Sequence, residues 1–231
     1  MTSPTSLLAE HRLETPRTAR YYLIGAPGPA VRDVWACCHG YGQLARDFAA
    51  YLRPIAEDAN RLGVVPEALS RFYLERGERQ PHAERPVGAS WMTREDRDAE
   101  IHDHVRWLDA AVGDALGASG EAAARFSSLG FSQGAATAVR WAQRTTRAVE
   151  HLVIWGGLVA PDVMADVEAD PGALRARRLT LVVGRYDRLV NRDTMAAQHA
   201  VLQTLGDRYQ LLEFEGGHRM DLETLRRVCS G

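Results

Sequence analysis

Apolar residues follow two rhythms along the chain. Dense short runs occur at Ala19–Gly25 (Tyr21, Tyr22, Leu23, Ile24), Val31–Cys38, Val64-Val65, Ala124–Leu129, His151–Trp155, Leu179–Val183 and Tyr209–Phe214. Runs this short, bounded by Gly, Pro or polar clusters, predict strands, most of them buried on both faces. Between them apolar residues recur every three or four positions, which predicts helices. Ala45–Leu62 places Phe48, Leu52, Ile55 and Ala59 on one face, with Pro54 kinking or restarting it. Thr93 reads as an N-cap with Asp96 three residues on, ahead of a stripe of Ile101, Val105, Leu108 and Val112 that Gly117 or Gly120 ends. Ala135–Gln143, Thr194–Leu205 and Asp221–Val228 complete the helices. Residues 1–18 read as a loose arm or edge strand, and Pro66–Met92 and Leu158–Arg177 as irregular stretches, the former a loop or lid. Strands alternating with helices predict one α/β domain over residues 1–231, with a mainly parallel sheet covered on both faces.

One junction stands out. Leu129-Gly130-Phe131-Ser132-Gln133-Gly134 follows a strand and opens a helix. A serine at the tip of so sharp a turn has strained backbone angles, and side chains two positions away would collide with the strand or the helix start. Glycine at 130 and 134 removes that collision. The result is an exposed hydroxyl beside the N-terminus of a helix, where backbone N–H groups stabilise a developing negative charge. An ordinary Gly-rich strand-to-helix turn is the plainer reading of the same residues.

Composition narrows the chemistry. The 231 residues carry a formal net charge of -2, which argues against nucleic acid as a partner. All 28 basic residues are arginine, so no lysine is present for a Schiff base or a phosphate-binding loop. No stretch suits a signal peptide or a membrane span, so the expectation is a cytoplasmic protein without stable membrane insertion. Cys37 and Cys38 are neighbours on a strand and point to opposite faces; with Cys229 they read as buried thiols, not as a disulfide or zinc site.

In such a sheet ligands gather at the carboxyl ends of the strands. His39-Gly40-Tyr41, Ser132, Asp187 and His218 all fall there. A serine nucleophile needs a base, and the base needs an acid to fix its tautomer. His218 is the candidate base and Asp187 the candidate acid, although Asp162, Asp166 and Asp193 compete with Asp187. His199 lies inside a predicted helix, His102 and His104 face different ways, and His39 is expected to shape its loop. The backbone N–H groups of Tyr41 and Gln133 are the candidate oxyanion donors.

Four blocks, His39-Gly40-Tyr41-Gly42, Gly130-Phe131-Ser132-Gln133-Gly134, Gly184-Arg185-Tyr186-Asp187 and Gly217-His218, together resemble the α/β-hydrolase superfamily. More narrowly they resemble its carboxylesterase/lysophospholipase branch, which includes the acyl-protein thioesterases. The resemblance runs from about Val31 to the C-terminus in the same block order. It implies an α/β-hydrolase fold, a Ser132–Asp187–His218 triad, hydrolysis of esters or thioesters, and no metal or cofactor. Gln43 stands where thioesterase members often carry an acidic residue, and Ser90-Trp91-Met92 does not match their acyl-binding segment, which weakens the case for protein depalmitoylation.

The expected activity is that of a serine hydrolase cleaving small or acyl carboxylic esters, with lysophospholipase or acyl-thioesterase action as the alternative. A peptidase, lactonase or acyltransferase would use the same triad, and a hydrolase fold reused as a binding module is the non-enzymatic reading. Trp91, Met92, Trp155, Leu189 and Val190 are candidates for the substrate wall, with simple packing the competing role of each. The expected partner is a small-molecule ester, and a homodimer is compatible with the sequence.

Overall fold

The computed structural model describes residues 9–75, 81–117 and 125–230. Seven strands form the main sheet: β1 (Tyr21–Ile24), β2 (Asp33–Cys38), β3 (Arg61–Pro66), β6 (Arg125–Phe131), β7 (Val149–Trp155), β8 (Arg178–Gly184) and β9 (Tyr209–Phe214), with β4 (Ser70–Tyr73) and β5 (Val87–Ser90) set apart as a small antiparallel pair. The order across the main sheet is β1-β3-β2-β6-β7-β8-β9, and only the edge strand β1 runs antiparallel to its neighbour. Helices α1 (Ala45–Ala49), α2 (Arg97–Gly117), α3 (Gln133–Arg144), α4 (Pro161–Ala169), α5 (Arg192–Leu202) and α6 (Leu222–Ser230) cover it.

Covering both faces explains the unbroken apolar runs, because alternate side chains of a doubly covered strand are all buried. On β2, Val34, Ala36 and Cys38 join the core with α2, α3 and α4, while Trp35 and Cys37 join the opposite core with α1 and α6. Cys37 and Cys38 are thus buried free thiols on opposite faces, and Cys229 is a third. Burial raises the pKa of all three, which keeps them protonated and inert.

Several expected boundaries shift. The helix expected over Ala45–Leu62 ends at Ala49, passes into a tight 3-10 segment at Ala50–Glu57, and Leu62 belongs to β3. Pro54 is the physical cause, since it lacks the N–H an α-helix needs and its ring crowds the carbonyl four residues back. Phe48, Leu52 and Ile55 remain buried, but Ala59 is exposed. Thr93 does not cap α2; its hydroxyl accepts the Glu95 N–H at 3.1 Å in the turn before the helix. Leu158–Arg177 contains α4, started by Pro161 at its first turn and burying Val163, Met164 and Val167.

The Pro66–Met92 stretch holds β4 and β5, so it is partly built rather than wholly irregular, and residues 76–80 lie outside the described residues. So do Ala124 at the start of the apolar run, Gly120 as an alternative helix end, and residues 1–8 of the arm; α2 is described through Gly117. From residue 9 the arm has no regular structure before β1 and lies along the α2 region through Arg12–Asp96 and Glu14–Arg106 ion pairs, each 2.9 Å. Among the described residues no helix is long and apolar enough to cross a membrane.

Candidate active site

The central parallel strands deliver their carboxyl ends to one edge of the sheet. At the end of β6, Ser132 adopts φ 55° and ψ -118°, and α3 begins at the next residue. A non-glycine residue at this angle carries roughly 1–3 kcal/mol of strain, tolerated only where neighbours enforce it. The enforcement is visible. Ser132 N–H donates to the Trp155 carbonyl at 2.8 Å, and Ser132 carbonyl accepts from Ala135 N–H at 3.0 Å. A Cβ at Gly130 would lie 2.1 Å from Gly134 O, and one at Gly134 would lie 2.2 Å from Cys38 O. Only glycine lets the elbow close this tightly against its own helix and against β2.

Asp187 and His218 come together from the turns after β8 and β9. His218 Nδ1 lies 2.8 Å from Asp187 Oδ2. The other carboxylate oxygen accepts the Leu189 N–H at 2.9 Å and the Val190 N–H at 3.4 Å, so the buried Asp187 is satisfied on both sides. Tyr186 N–H donates to Gly216 O at 2.8 Å, which stitches the two turns together. Asp162, one of the three competing aspartates, is held instead by Arg140, Arg97 and Arg144. Burial alone would raise its pKa, but the Arg140 guanidinium outweighs that and brings it down to about 2.

The Phe131 ring packs beside His218. Its centroid is 4.9 Å from that of His218, and a Cβ built on Gly40 would touch both Phe131 and Ser132. Ser132 Oγ makes no hydrogen bond among the described residues. Such contacts are often long before substrate binds.

The turn after β2 is held from several directions. His39 is fully buried; its Nδ1 faces Gly40 O at 2.8 Å and its Nε2 accepts the Ala68 N–H at 3.1 Å. Those contacts require the neutral ring with its proton on Nδ1, and burial lowers its pKa, so His39 shapes the loop. Gly40 N–H donates to Gln43 Oε1 at 2.8 Å, and Gly42 N–H to Ala89 O at 2.9 Å. Tyr41 N–H, between them, has no hydrogen-bond acceptor among the described residues. Gln133 N–H, the first of α3, is in the same position, as the opening N–H groups of a helix are.

The sequence did not expose two contributions. Gln133 Oε1 accepts the Trp91 N–H at 3.0 Å, and its Nε2 donates to Met92 O at 2.8 Å, so this side chain clamps the exit of β5 to the elbow. Gly88 of β5 presses on the turn after β2, where a Cβ would lie 2.5 Å from Gly42 O. The glycine-flanked turn was the one available signal for such close packing.

The five residues expected to line the substrate wall separate. Trp91 is 2% exposed and donates its indole N–H to His39 O at 2.8 Å; Trp155 is fully buried and donates to Arg219 O at 3.0 Å. Both brace loops from within the core and have no surface for a substrate, and Val190, at 6% exposure, is also packed inside. Met92 is half-buried and Leu189 is 74% exposed, so these two retain accessible surface near the strand ends. Among the described residues no group of three His, Cys, Asp or Glu side chains is placed to hold a metal ion.

Comparison with known proteins places this geometry in context. Similar solved structures include esterase PE8 (21% identity, TM-score 0.66, covering 93% of this chain and 97% of that one). Zea mays acyl-protein thioesterase 2 is 19% identical with a TM-score of 0.63, covering 92% of this chain and 97% of its own. A Mesorhizobium loti carboxylesterase is 17% identical, with a TM-score of 0.63 and coverage of 92% and 95%. At such identities these likenesses speak for the fold alone, the α/β-hydrolase fold. No curated protein sequence matches the chain significantly. The model of the phospholipase/carboxylesterase family matches residues 21–230, nearly the whole chain and every block at the strand ends. The chain therefore belongs to the phospholipase/carboxylesterase family, as a carboxylesterase-type serine hydrolase.

Proposed function

We propose that the protein hydrolyses carboxylic esters through an acyl-enzyme on Ser132. The observation that carries this reading is the 2.8 Å contact between His218 Nδ1 and Asp187 Oδ2 at the same sheet edge as the Ser132 elbow. With Nδ1 facing Asp187, Nε2 is the nitrogen left to take the Ser132 proton as the hydroxyl attacks the ester carbonyl. The oxyanion accepts hydrogen bonds from Tyr41 N–H and Gln133 N–H, each worth about 3–4 kcal/mol in the transition state. His218 then gives its proton to the leaving alcohol. Water repeats the sequence and releases the acid.

The exposed apolar side chains of Tyr41, Tyr186 and Leu189, at 60%, 68% and 74% exposure, flank the strand-end turns. They favour acyl groups longer than acetyl as a second reading, that of a lysophospholipase or acyl-thioesterase. One assay tests both. Hydrolysis of p-nitrophenyl esters from acetate to palmitate is expected with wild type and absent with Ser132→Ala. A short-chain optimum supports the small-ester reading and a long-chain optimum the second. Wild-type rates in Ser132→Ala overturn the acyl-enzyme.

A further inference from the structure

The turn that carries Tyr41 is gripped by a buried carboxylate that the ester chemistry above does not use. β3 runs beside β2 and ends at Pro66, and the next residue, Glu67, is 2% exposed. A charged side chain is almost never buried this far unless it is paired. Arg20 grips it in a bidentate fork, with Nε donating to Oε1 at 2.8 Å and Nη2 to Oε2 at 3.0 Å. Arg71 Nη1 donates to Oε1 at 3.1 Å. The backbone is fixed as well: Glu67 N–H donates to Arg20 O at 3.0 Å, and Glu67 O accepts the Trp107 indole N–H at 3.0 Å.

Charge pairing accounts for the arginines but not for the fourth contact. Glu67 Oε2 also accepts the Ala45 N–H at 3.4 Å, from 22 residues earlier in the chain. Ala45 opens α1, and Leu44 before it has no side-chain acceptor to cap a helix. Glu67 supplies that acceptor from a neighbouring strand end. The residue after it takes the other end of the turn, because Ala68 N–H donates to His39 Nε2 at 3.1 Å. Glu67 and Ala68 thus hold residues 45 and 39, and Tyr41 lies between them. Arg71 stands opposite Ala89 of β5, whose carbonyl takes the Gly42 N–H at 2.9 Å, so the same carboxylate is tied to the strand pair that presses on the turn.

We propose that Glu67 is a positioning residue that sets where the Tyr41 N–H points. The inference rests on the ester reading, in which that N–H receives the oxyanion. The oxyanion is absent from bound substrate, so slack in the turn lowers kcat and leaves KM nearly unchanged.

Glu67→Gln tests this with little change of size. Arg20 and Arg71 attract its amide oxygen, which turns the NH2 toward the Ala45 N–H and releases that end of the turn. The variant is expected to fold, because the Arg20 and Arg71 side chains are 46% and 37% exposed and reach water. On p-nitrophenyl acetate kcat is expected to fall about tenfold with KM held within about twofold. Amide hydrogen exchange of residues 39–45 is expected to quicken while that of β7 does not. Arg20→Gln is the control: it cuts the bidentate pair but leaves the Ala45 contact, so the melting temperature is expected to fall while kcat stays within about twofold. Glu67→Asp keeps the charge but withdraws the carboxylate by one methylene, and it stands in if Glu67→Gln does not fold. Unchanged kcat in a folded Glu67 variant, or an equal loss of kcat in Arg20→Gln, overturns the positioning role. A wild type without ester hydrolysis overturns the ester reading instead, and exchange of residues 39–45 then decides this one.

Discussion

Gln133 Oε1 accepts the backbone N–H of Trp91 at 3.0 Å, so the residue after Ser132 holds the β5 exit beside the turn that follows β2. Its side chain also donates to Met92 O. Gln133→Ala keeps the backbone N–H of residue 133 but takes the acceptor from the part-buried Trp91 N–H, while Met92 O keeps the Ser90 hydroxyl at 3.0 Å. Unfolding stability is expected to fall by about 1–3 kcal/mol, and kcat on a short ester by roughly tenfold as the turn loosens. Urea unfolding and steady-state kinetics check it; unchanged values in both would show that the clamp is idle.

Asp187→Asn tests how the histidine is held. The Leu189 and Val190 N–H groups still find an acceptor in the amide oxygen, so the turn is expected to survive. The amide nitrogen then faces His218 Nδ1 and reverses the tautomer the base needs. A loss of about 10³–10⁴ in kcat with little change in melting temperature is the expected result. Near-normal turnover would return the acid role to another carboxylate.

Two glycine substitutions should diverge. Gly134→Ala places a Cβ 2.2 Å from Cys38 O, a backbone atom that cannot step aside. A loss above about 3 kcal/mol, or insoluble protein, is expected. Gly113→Ala lies within α2, where the nearest atom is the flexible end of Arg147 at 3.6 Å. That change is expected to stabilise by up to about 1 kcal/mol. Thermal unfolding of both distinguishes tight packing from ordinary helix propensity.

His104 gives the fold an acid-sensitive point. It is 1% exposed, and among the described residues neither ring nitrogen has a hydrogen-bond partner in normal geometry. Burial lowers its pKa to about 4; the Trp91 backbone pulls the other way, and Arg140 and Arg144 add to the lowering. An unfolded histidine titrates near pH 6.5. Above that pH both states are neutral and the group has no effect on stability. As pH falls below it the unfolded chain takes up a proton that the folded chain refuses, so stability declines until about pH 4. His104→Leu is expected to flatten this limb, by an amount on the order of 2–3 kcal/mol at its foot. Denaturant titrations at pH 7 and 4.5 measure it, and an equal acid loss in variant and wild type would reject the assignment.

The strands were legible because each central one is buried on both faces, so its apolar run is uninterrupted. The elbow was legible because only glycine fits at 130 and 134. Less could be read where long-range contacts decide. β4 and β5 have little core of their own, and Ala89 exchanges hydrogen bonds with Gly42 and Gln43, more than 40 residues earlier. In α4 the buried stripe is only Val163, Met164 and Val167, too short to stand out among exposed acids. Trp91 and Trp155 looked like wall residues because they are apolar and close to strand ends. Each has an indole N–H aimed at a loop carbonyl, and no periodicity records that.

The indole contacts bear on how this scaffold can change over generations. His39, Trp91, Trp155 and Gln133 all reach backbone atoms, whose chemistry is the same whatever side chain a neighbour carries. The accessible rim, by contrast, is made of side chains such as Met92 and Leu189 that brace nothing in that network. Substitutions at the rim can therefore accumulate without loosening the reacting groups. On the ester-hydrolase reading proposed above, a lineage built this way would exchange one acyl preference for another at the rim while the reacting groups stay in place.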